Sequence, residues 1–335
     1  MTDNAPQPDG GAAPRALPVR TVEVTAVRRI SPHMARVTFG GPSLADFTLD
    51  GPDQQVKLYF PRPGQHVPRL PEAGTDGDVM RWYGAFQAIP EEERPWTRSY
   101  TVRSHDPLRA TIDIDFVLHG DVGGDSGDGE DGGDGEAGAG PATSWARKAA
   151  PGAVLGMFGP SAYFATPVPL GTTDWLLLVG DETALPAIGT LVEALPEGAR
   201  AVAYVEVADA AEEQRFETAG EVTVHWLHRG GAPAGRGGPL VAAVRAAEFP
   251  AGSVLAWLGG EAGAVRALRR HLVEERGLDK RSVHFSGYWR LDLTQDDAPT
   301  EEDLAEARER LSDATDLTSA ATGKVCPSRS GGRCV

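Results

Sequence analysis

Residues 98–103 read Arg-Ser-Tyr-Thr-Val-Arg. In a strand, alternate side chains share a face, which puts Arg98, Tyr100 and Val102 on one side and Ser99, Thr101 and Arg103 on the other. The planar fork of an arginine grips a phosphate, an aromatic ring covers a flat heterocycle, and a hydroxyl or backbone amide reaches a ring heteroatom. The chemistry this spacing suits is retention of a flat, phosphate-bearing ligand. An ordinary surface strand is the competing reading of the same six residues.

A second candidate lies at 180–186, Gly-Asp-Glu-Thr-Ala-Leu-Pro. A dinucleotide-binding turn carries several glycines so that the backbone can approach a pyrophosphate. Here one glycine is followed by Asp181, Glu182 and Thr183. Carboxylates at a helix start suit its dipole but repel a phosphate, so either acid also reads as a plain helix cap. Further on, Tyr-Val-Glu-Val-Ala-Asp (204–209) places Glu206 and Asp209 at a strand end. A carboxylate there accepts bonds from a ribose diol and repels a 2′-phosphate, which leans towards NADH over NADPH. No Ser/His/Asp or Cys/His catalytic set is legible, and no His/Cys/carboxylate cluster has metal-ligand spacing, so no resident metal is expected. Cys326 and Cys334 offer two thiols, too few for a zinc site, in a tail that reads as disordered.

The elements that must position these residues fall into two groups. Residues 18–118 are rich in short alternating strands: 20–30, 34–41, 54–61, 98–104 and 110–120. In the last, Ile112, Ile114 and Phe116 face one way and Asp113 and Asp115 the other. Such strands between Pro/Gly turns predict an antiparallel β-barrel. From about 172 the pattern changes to short apolar strands (174–180, 199–207, 221–228, 252–260, 281–289) alternating with helical segments (184–195, 237–248, 262–277). That alternation predicts a parallel α/β sheet covered on both faces. The expected organisation is therefore a disordered start at 1–17, a barrel domain at 18–167, an α/β domain at 172–291, and an acidic tail at 292–335 with a helix near 300–313. Residues 121–139 hold eight glycines and seven acids, and read as a disordered insertion in a barrel loop.

The chain's 335 residues suit about two domains at roughly 100–200 residues each. The net charge of −16 is unevenly placed. Residues 121–139 carry seven acids and no base, and residues 292–316 carry ten acids against Arg308 and Arg310; together they hold −15 of the −16. A near-neutral body with acidic appendages argues against nucleic-acid binding and gives no warrant for a cation-binding function. The first residues have no apolar core of a signal peptide, and no apolar run approaches a membrane span. Cysteine confined to the last ten residues fits a reducing compartment, and the expected location is the cytoplasm.

With this layout, Arg-Ser-Tyr-Thr-Val-Arg resembles the flavin-binding motif of the siderophore-interacting protein family, the FAD-dependent ferric-siderophore reductases of the ferredoxin–NADP reductase superfamily. Three further stretches match in order: Phe-Val-Leu-His-Gly (116–120) continued by Gly-Pro-Ala-Thr-Ser-Trp-Ala (140–146), Val-Gly-Asp-Glu-Thr-Ala-Leu-Pro-Ala-Ile (179–188), and Gly-Tyr-Trp-Arg (287–290). The likeness covers about 19–291; the acidic insertion and the tail depart from it. It implies that Arg98 meets a flavin phosphate, Tyr100 packs on the isoalloxazine, and Thr101, with Ser99 alongside, contacts the ring's polar edge. It places His119 and Gly120 along the ribityl–pyrophosphate, and Gly140, Pro141, Ala142, Thr143 and Trp145 about the pyrophosphate and adenine. For His119 a capping or core role competes, and for Trp145 core packing. Tyr288 or Trp289 would lie against the flavin's other face.

The implied activity is reduction of Fe(III) in a ferric siderophore, with NADH, NADPH or a ferredoxin as donor. Asp181, Glu182, Thr183, Glu206 and Asp209 are the candidate nicotinamide-nucleotide residues. Many ferric siderophores are anionic, and Lys57, Arg147 and Arg290 are the candidate cations for them. Two other functions stay open: a general NAD(P)H:flavin or quinone oxidoreductase on the same architecture, and a non-catalytic iron-chelate-binding protein.

Overall fold

The computed structural model describes residues 18–74, 78–118, 140–160, 168–235, 238–291 and 300–301. The expectations for residues 1–17, the insertion 121–139, His119, Gly120, both cysteines and the tail beyond residue 301 lie outside these. Both sheets belong to one compact unit, within which the described residues 18–291 lie.

The first sheet has seven strands: β1 (Val19–Ser31), β2 (Met34–Gly40), β3 (Gln55–Phe60), β4 (Trp96–Thr101), β5 (Ser104–Asp106), β6 (Thr111–Val117) and β7 (Val154–Phe158). They are ordered β4-β3-β7-β1-β2-β6-β5, and every pairing is antiparallel. β4 and β5 stand at opposite edges of this order, yet only Val102 and Arg103 connect them. Three Cα–Cα steps from Thr101 to Ser104 span at most about 11 Å, so the edges must meet and the sheet closes into a barrel. The Arg103 N–H donates to the Asp113 carbonyl at 2.8 Å, extending the β5–β6 pairing into this connection. The predicted alternation on β6 holds: Ile112, Ile114 and Phe116 are buried with Val22, Val37, Phe39 and Leu58. Asp115, facing the other way, takes a bidentate ion pair from Arg36.

Two helices flank this barrel. α1 (Val79–Gln87) sits between β3 and β4, starts at the Asp78 cap, and buries Trp82 and Phe86 against Tyr59. The sequence reading assigned no helix there, because one short turn-bounded segment with two aromatics four apart carries a weak period. α2 (Pro141–Lys148) precedes β7.

The second sheet has five parallel strands: β8 (Trp175–Asp181), β9 (Arg200–Val207), β10 (Glu221–His228), β11 (Val254–Glu261) and β12 (Val283–Trp289). Their order is β10-β9-β8-β11-β12. The order reverses between β8 and β11, the topological switch point at which ligands of such sheets bind. α3 (Leu185–Glu193) packs on one face; α4 (Gly238–Ala246) and α5 (Ala262–Arg270) cover the other. The helix expected over 262–277 is α5 followed by a wider π-type turn at His271–Glu275. Met34 of the barrel is buried in the α3-side core, with Ile30 and Val117 packed against it, so the two sheets share apolar surface.

Candidate functional site

β4 pairs with β3 so that Arg98 lies opposite Leu58 and Tyr100 opposite Val56. Both partners are fully buried, which puts Arg98 and Tyr100 on the barrel-core face and Ser99 and Thr101 on the other, as the alternation requires. Tyr100 packs against Phe116 at 4.4 Å between ring centroids and against Phe60 at 6.4 Å. Burial pushes its hydroxyl far above the usual tyrosine range, so the ring stays a neutral phenol. Arg98 is half-buried and donates from Nη1 to the Thr97 carbonyl at 2.7 Å.

At the barrel end, α2 begins at Gly140 with Pro141 in the first turn and no side chain capping it. Pro141 has no N–H to satisfy, and the N–H groups of Ala142 and Thr143 have no acceptor within the helix. Gly140 is exposed, and a methyl group added there would meet nothing within 4 Å. An open helix start with spare amides suits a pyrophosphate. The Thr143 hydroxyl donates to the Val117 carbonyl at 3.3 Å, tying this turn to the end of β6. Trp145 stacks on Phe39 (6.1 Å, 12°) and meets Phe60 and Phe116 at 5.6 Å, so much of its ring is core packing.

The other face of β4 meets the second sheet. The Tyr288 hydroxyl donates to Asp53 Oδ1 at 3.0 Å, accepts from Gln55 Nε2 at 3.2 Å, and is hydrogen-bonded to Thr101. Trp257 Nε1 donates to Asp53 Oδ2 at 2.8 Å, and the Asp53 N–H donates to Thr190 Oγ1 at 3.0 Å. Asp53 is buried, holds a left-handed φ of 57°, and has its carboxyl pushed up to about 6 by burial, against the hydrogen bonds from Trp257, Tyr288 and Gln55. Sequence reasoning missed Asp53, Gln55, Thr190 and Trp257. Tyr288 is the aromatic that reaches the barrel; Trp289, one residue on, faces the opposite way.

Trp289 instead donates from Nε1 to Asp181 Oδ2 at 2.9 Å. The same oxygen accepts the Glu261 N–H at 2.9 Å, and Oδ1 accepts the N–H and hydroxyl of Thr183. Glu182 forms a buried bidentate pair with Arg229, whose Nη1 also lies 3.8 Å from Glu206. Burial pushes both Glu182 and Glu206 above the usual carboxylate range. Asp209 caps the short turn after β9 through the Ala211 N–H at 2.7 Å. Of the candidate cations, Lys57 stands opposite Ser99 on β3, Arg147 is in the last turn of α2, and Arg290 follows β12; all three are half-buried. Among the described residues no group of three or more His, Cys, Asp or Glu is arranged to hold a metal ion.

The chain resembles known proteins across both sheets. The family model described as siderophore-interacting FAD-binding domain matches residues 23–164, and that described as siderophore-interacting protein matches residues 173–292. The chain is 30% identical over 273 residues to an NADPH-dependent ferric-chelate reductase of Escherichia coli, covering 81% of this chain and 92% of that one. It is 29% identical over 275 residues to the ferric vibriobactin reductase ViuB of Vibrio cholerae, covering 81% and 89%. The crystal structure of a siderophore utilization protein from T. fusca superposes with a TM-score of 0.66 at 37% identity, covering 83% of this chain and 95% of that one.

Proposed function

The chain belongs to the siderophore-interacting protein family, and on that premise we propose that it is an FAD-dependent reductase converting the Fe(III) of a ferric siderophore to Fe(II). Its donor in this reading is NADH, NADPH or a ferredoxin, and its place of action the cytoplasm. No helix among the described residues is long and apolar enough to cross a membrane. The observation that carries the reading is the β4 strand. Arg98 and Tyr100 share the core face of β4, Tyr100 packs on Phe116, which also meets Trp145 of α2, and Thr101 is bonded across the junction to Tyr288.

A bound flavin accepts two electrons together and yields them singly, which suits a one-electron metal acceptor. The protein's own work is binding and orientation. Arg98 and the Ala142 and Thr143 amides would hold the flavin's phosphates by charge-assisted bonds, the Tyr100 phenol would cover the ring, and Ser99 and Thr101 would address its polar edge. The iron needs no ligand from the chain because the siderophore keeps it until reduction. Lys57, Arg147 and Arg290 supply positive charge for an anionic chelate.

The deciding experiment is anaerobic. The holoprotein is reduced with dithionite, freed of excess reductant, and mixed with a ferric siderophore in the presence of an Fe(II) trap. The reading requires flavin reoxidation matched by about two trapped Fe(II) per flavin. Purification without flavin would favour a non-catalytic binding protein. Faster turnover with quinones or free flavin than with ferric chelates would favour the general oxidoreductase.

A further inference from the structure

A dinucleotide bound to a parallel α/β sheet sets its diphosphate at the switch point, on free amides of a glycine-rich turn and a helix start. In this chain that place, between the ends of β8 and β11, is filled from within. Asp181, at the end of β8, is 6% exposed and receives four hydrogen bonds: two from Thr183, one from the Glu261 N–H and one from the Trp289 indole. Two of the turn's amides are thereby used, since the Thr183 N–H goes to the Asp181 side chain and the Ala184 N–H to the Asp181 carbonyl. Gly260, at φ 130°, closes on the same carboxylate: a Cβ there would lie 2.6 Å from Asp181 Oδ2. Where a methyl group does not fit, a phosphate does not either.

The surroundings are equally unsuited to an anion. Ala184 and Leu185, which begin α3, are fully buried. The Trp289 ring lies over Gly235, so close that any side chain there would overlap it. Four buried carboxylates, Asp181, Glu182, Glu206 and Glu261, gather at these strand ends. Arg229 is committed to Glu182 and also faces Glu206. A diphosphate brings two more negative charges to a net-negative, low-dielectric place. The ribose contact expected of Glu206 would require entry to a carboxylate that is 3% exposed.

We propose that the Asp181–Trp289–Glu261 knot closes the switch point to a nucleotide diphosphate, so that the reductase engages a reduced nicotinamide donor by its nicotinamide end alone. This rests on the reductase reading above. The chemistry of the step is unchanged: the nicotinamide loses a hydride and becomes the oxidised ring, and the flavin gains the hydride's two electrons and its proton. What changes is selectivity. Donors differing only beyond the first phosphate, namely NADH, NADPH and reduced nicotinamide mononucleotide, become nearly equivalent.

The test uses the wild-type holoprotein. Anaerobic stopped-flow gives second-order rate constants for flavin reduction by the three donors, and calorimetry measures binding of ADP-ribose, which carries the diphosphate without nicotinamide. The expected result is three rate constants within about threefold of one another and no heat from ADP-ribose up to millimolar concentration. A gripped diphosphate makes several charge-assisted bonds, each worth about tenfold or more. A mononucleotide rate more than about tenfold below that of NADH therefore overturns the proposal, as does ADP-ribose binding below a millimolar Kd or failure of all three donors to reduce the flavin. Reoxidation of dithionite-reduced protein by ferric siderophore bypasses the donor, so the reductase reading stands or falls separately.

Discussion

At Asp53 a carboxylate of the barrel is held by Trp257 and Tyr288 of the second sheet, and its raised pKa makes this junction titrate. The folded-state value of about 6 exceeds the ordinary 3.8, so the folded protein binds this proton more tightly than the unfolded chain does. Its contribution to stability is complete below about pH 4 and is lost as pH rises through 6. A gap of about two units is worth on the order of 3 kcal/mol. We expect Asp53→Asn to flatten the fall in urea-unfolding stability between pH 4 and 6. An unchanged pH slope in the variant would mean that Asp53 is not the group responsible. Nothing local in Gly-Pro-Asp-Gln announces this role, since it reads as a turn acid. The partners Thr190, Trp257 and Tyr288 lie 137, 204 and 235 positions away. By contrast, Arg98, Tyr100 and Thr101 were legible because strand alternation alone assigns their faces.

The β1–β2 hairpin is tied to the second sheet by one acid. Glu212, in the short turn after β9, accepts the Ser31 hydroxyl, and its Oε1 takes the His33 N–H and approaches His33 Nδ1, each at 2.8 Å. Glu212 is buried, whereas its neighbour Glu213 is exposed and meets only an exposed His228 at 2.9 Å. Replacing Glu212 by alanine leaves the buried Ser31 hydroxyl and the half-buried His33 N–H without their acceptor, at a cost of about 1–3 kcal/mol. Glu213→Ala loses an exposed pair worth about 0–1 kcal/mol. The two variants, one position apart, should therefore separate clearly in urea midpoint. Equal midpoints would show that the hairpin is held by apolar contacts such as Met34 rather than by Glu212. The strands of this clamp were predictable from their alternation, but which of two adjacent glutamates is buried depends on where the hairpin docks.

For the whole molecule, the proposed function raises the question of how a near-neutral body with acidic appendages would attract an anionic chelate. Lys57, Arg147 and Arg290 come from β3, α2 and the end of β12, three segments far apart in the chain. Partly exposed charges are worth about 0.2–1 kcal/mol each, so one neutral substitution should raise KM for an anionic ferric siderophore only a few-fold, and three should compound. The effect should shrink with salt, because the screening length falls from about 10 Å at 0.1 M to 3 Å at 1 M. Steady-state KM of the triple variant, measured with an anionic and a neutral chelate, checks this. Equal relative losses for both would remove these residues from charge recognition.

The sequence alone determined the two-sheet architecture, because hydrophobic period is a local property: period two through β1 to β6, and apolar strands alternating with helices from β8 onward. It also determined the β4 strand, which is contiguous and whose side chains are ordered by backbone geometry. Only the tertiary structure decided what Asp181, Glu182 and Glu206 do. As local residues they read as ligands for a nucleotide or as helix caps. Their partners Arg229, Glu261 and Trp289 arrive from β10's end, β11 and β12. Whether a carboxylate faces a ligand or an internal donor depends on which distant group lies within 3 Å of it, and that distance is set by packing of the whole sheet rather than by spacing along the chain.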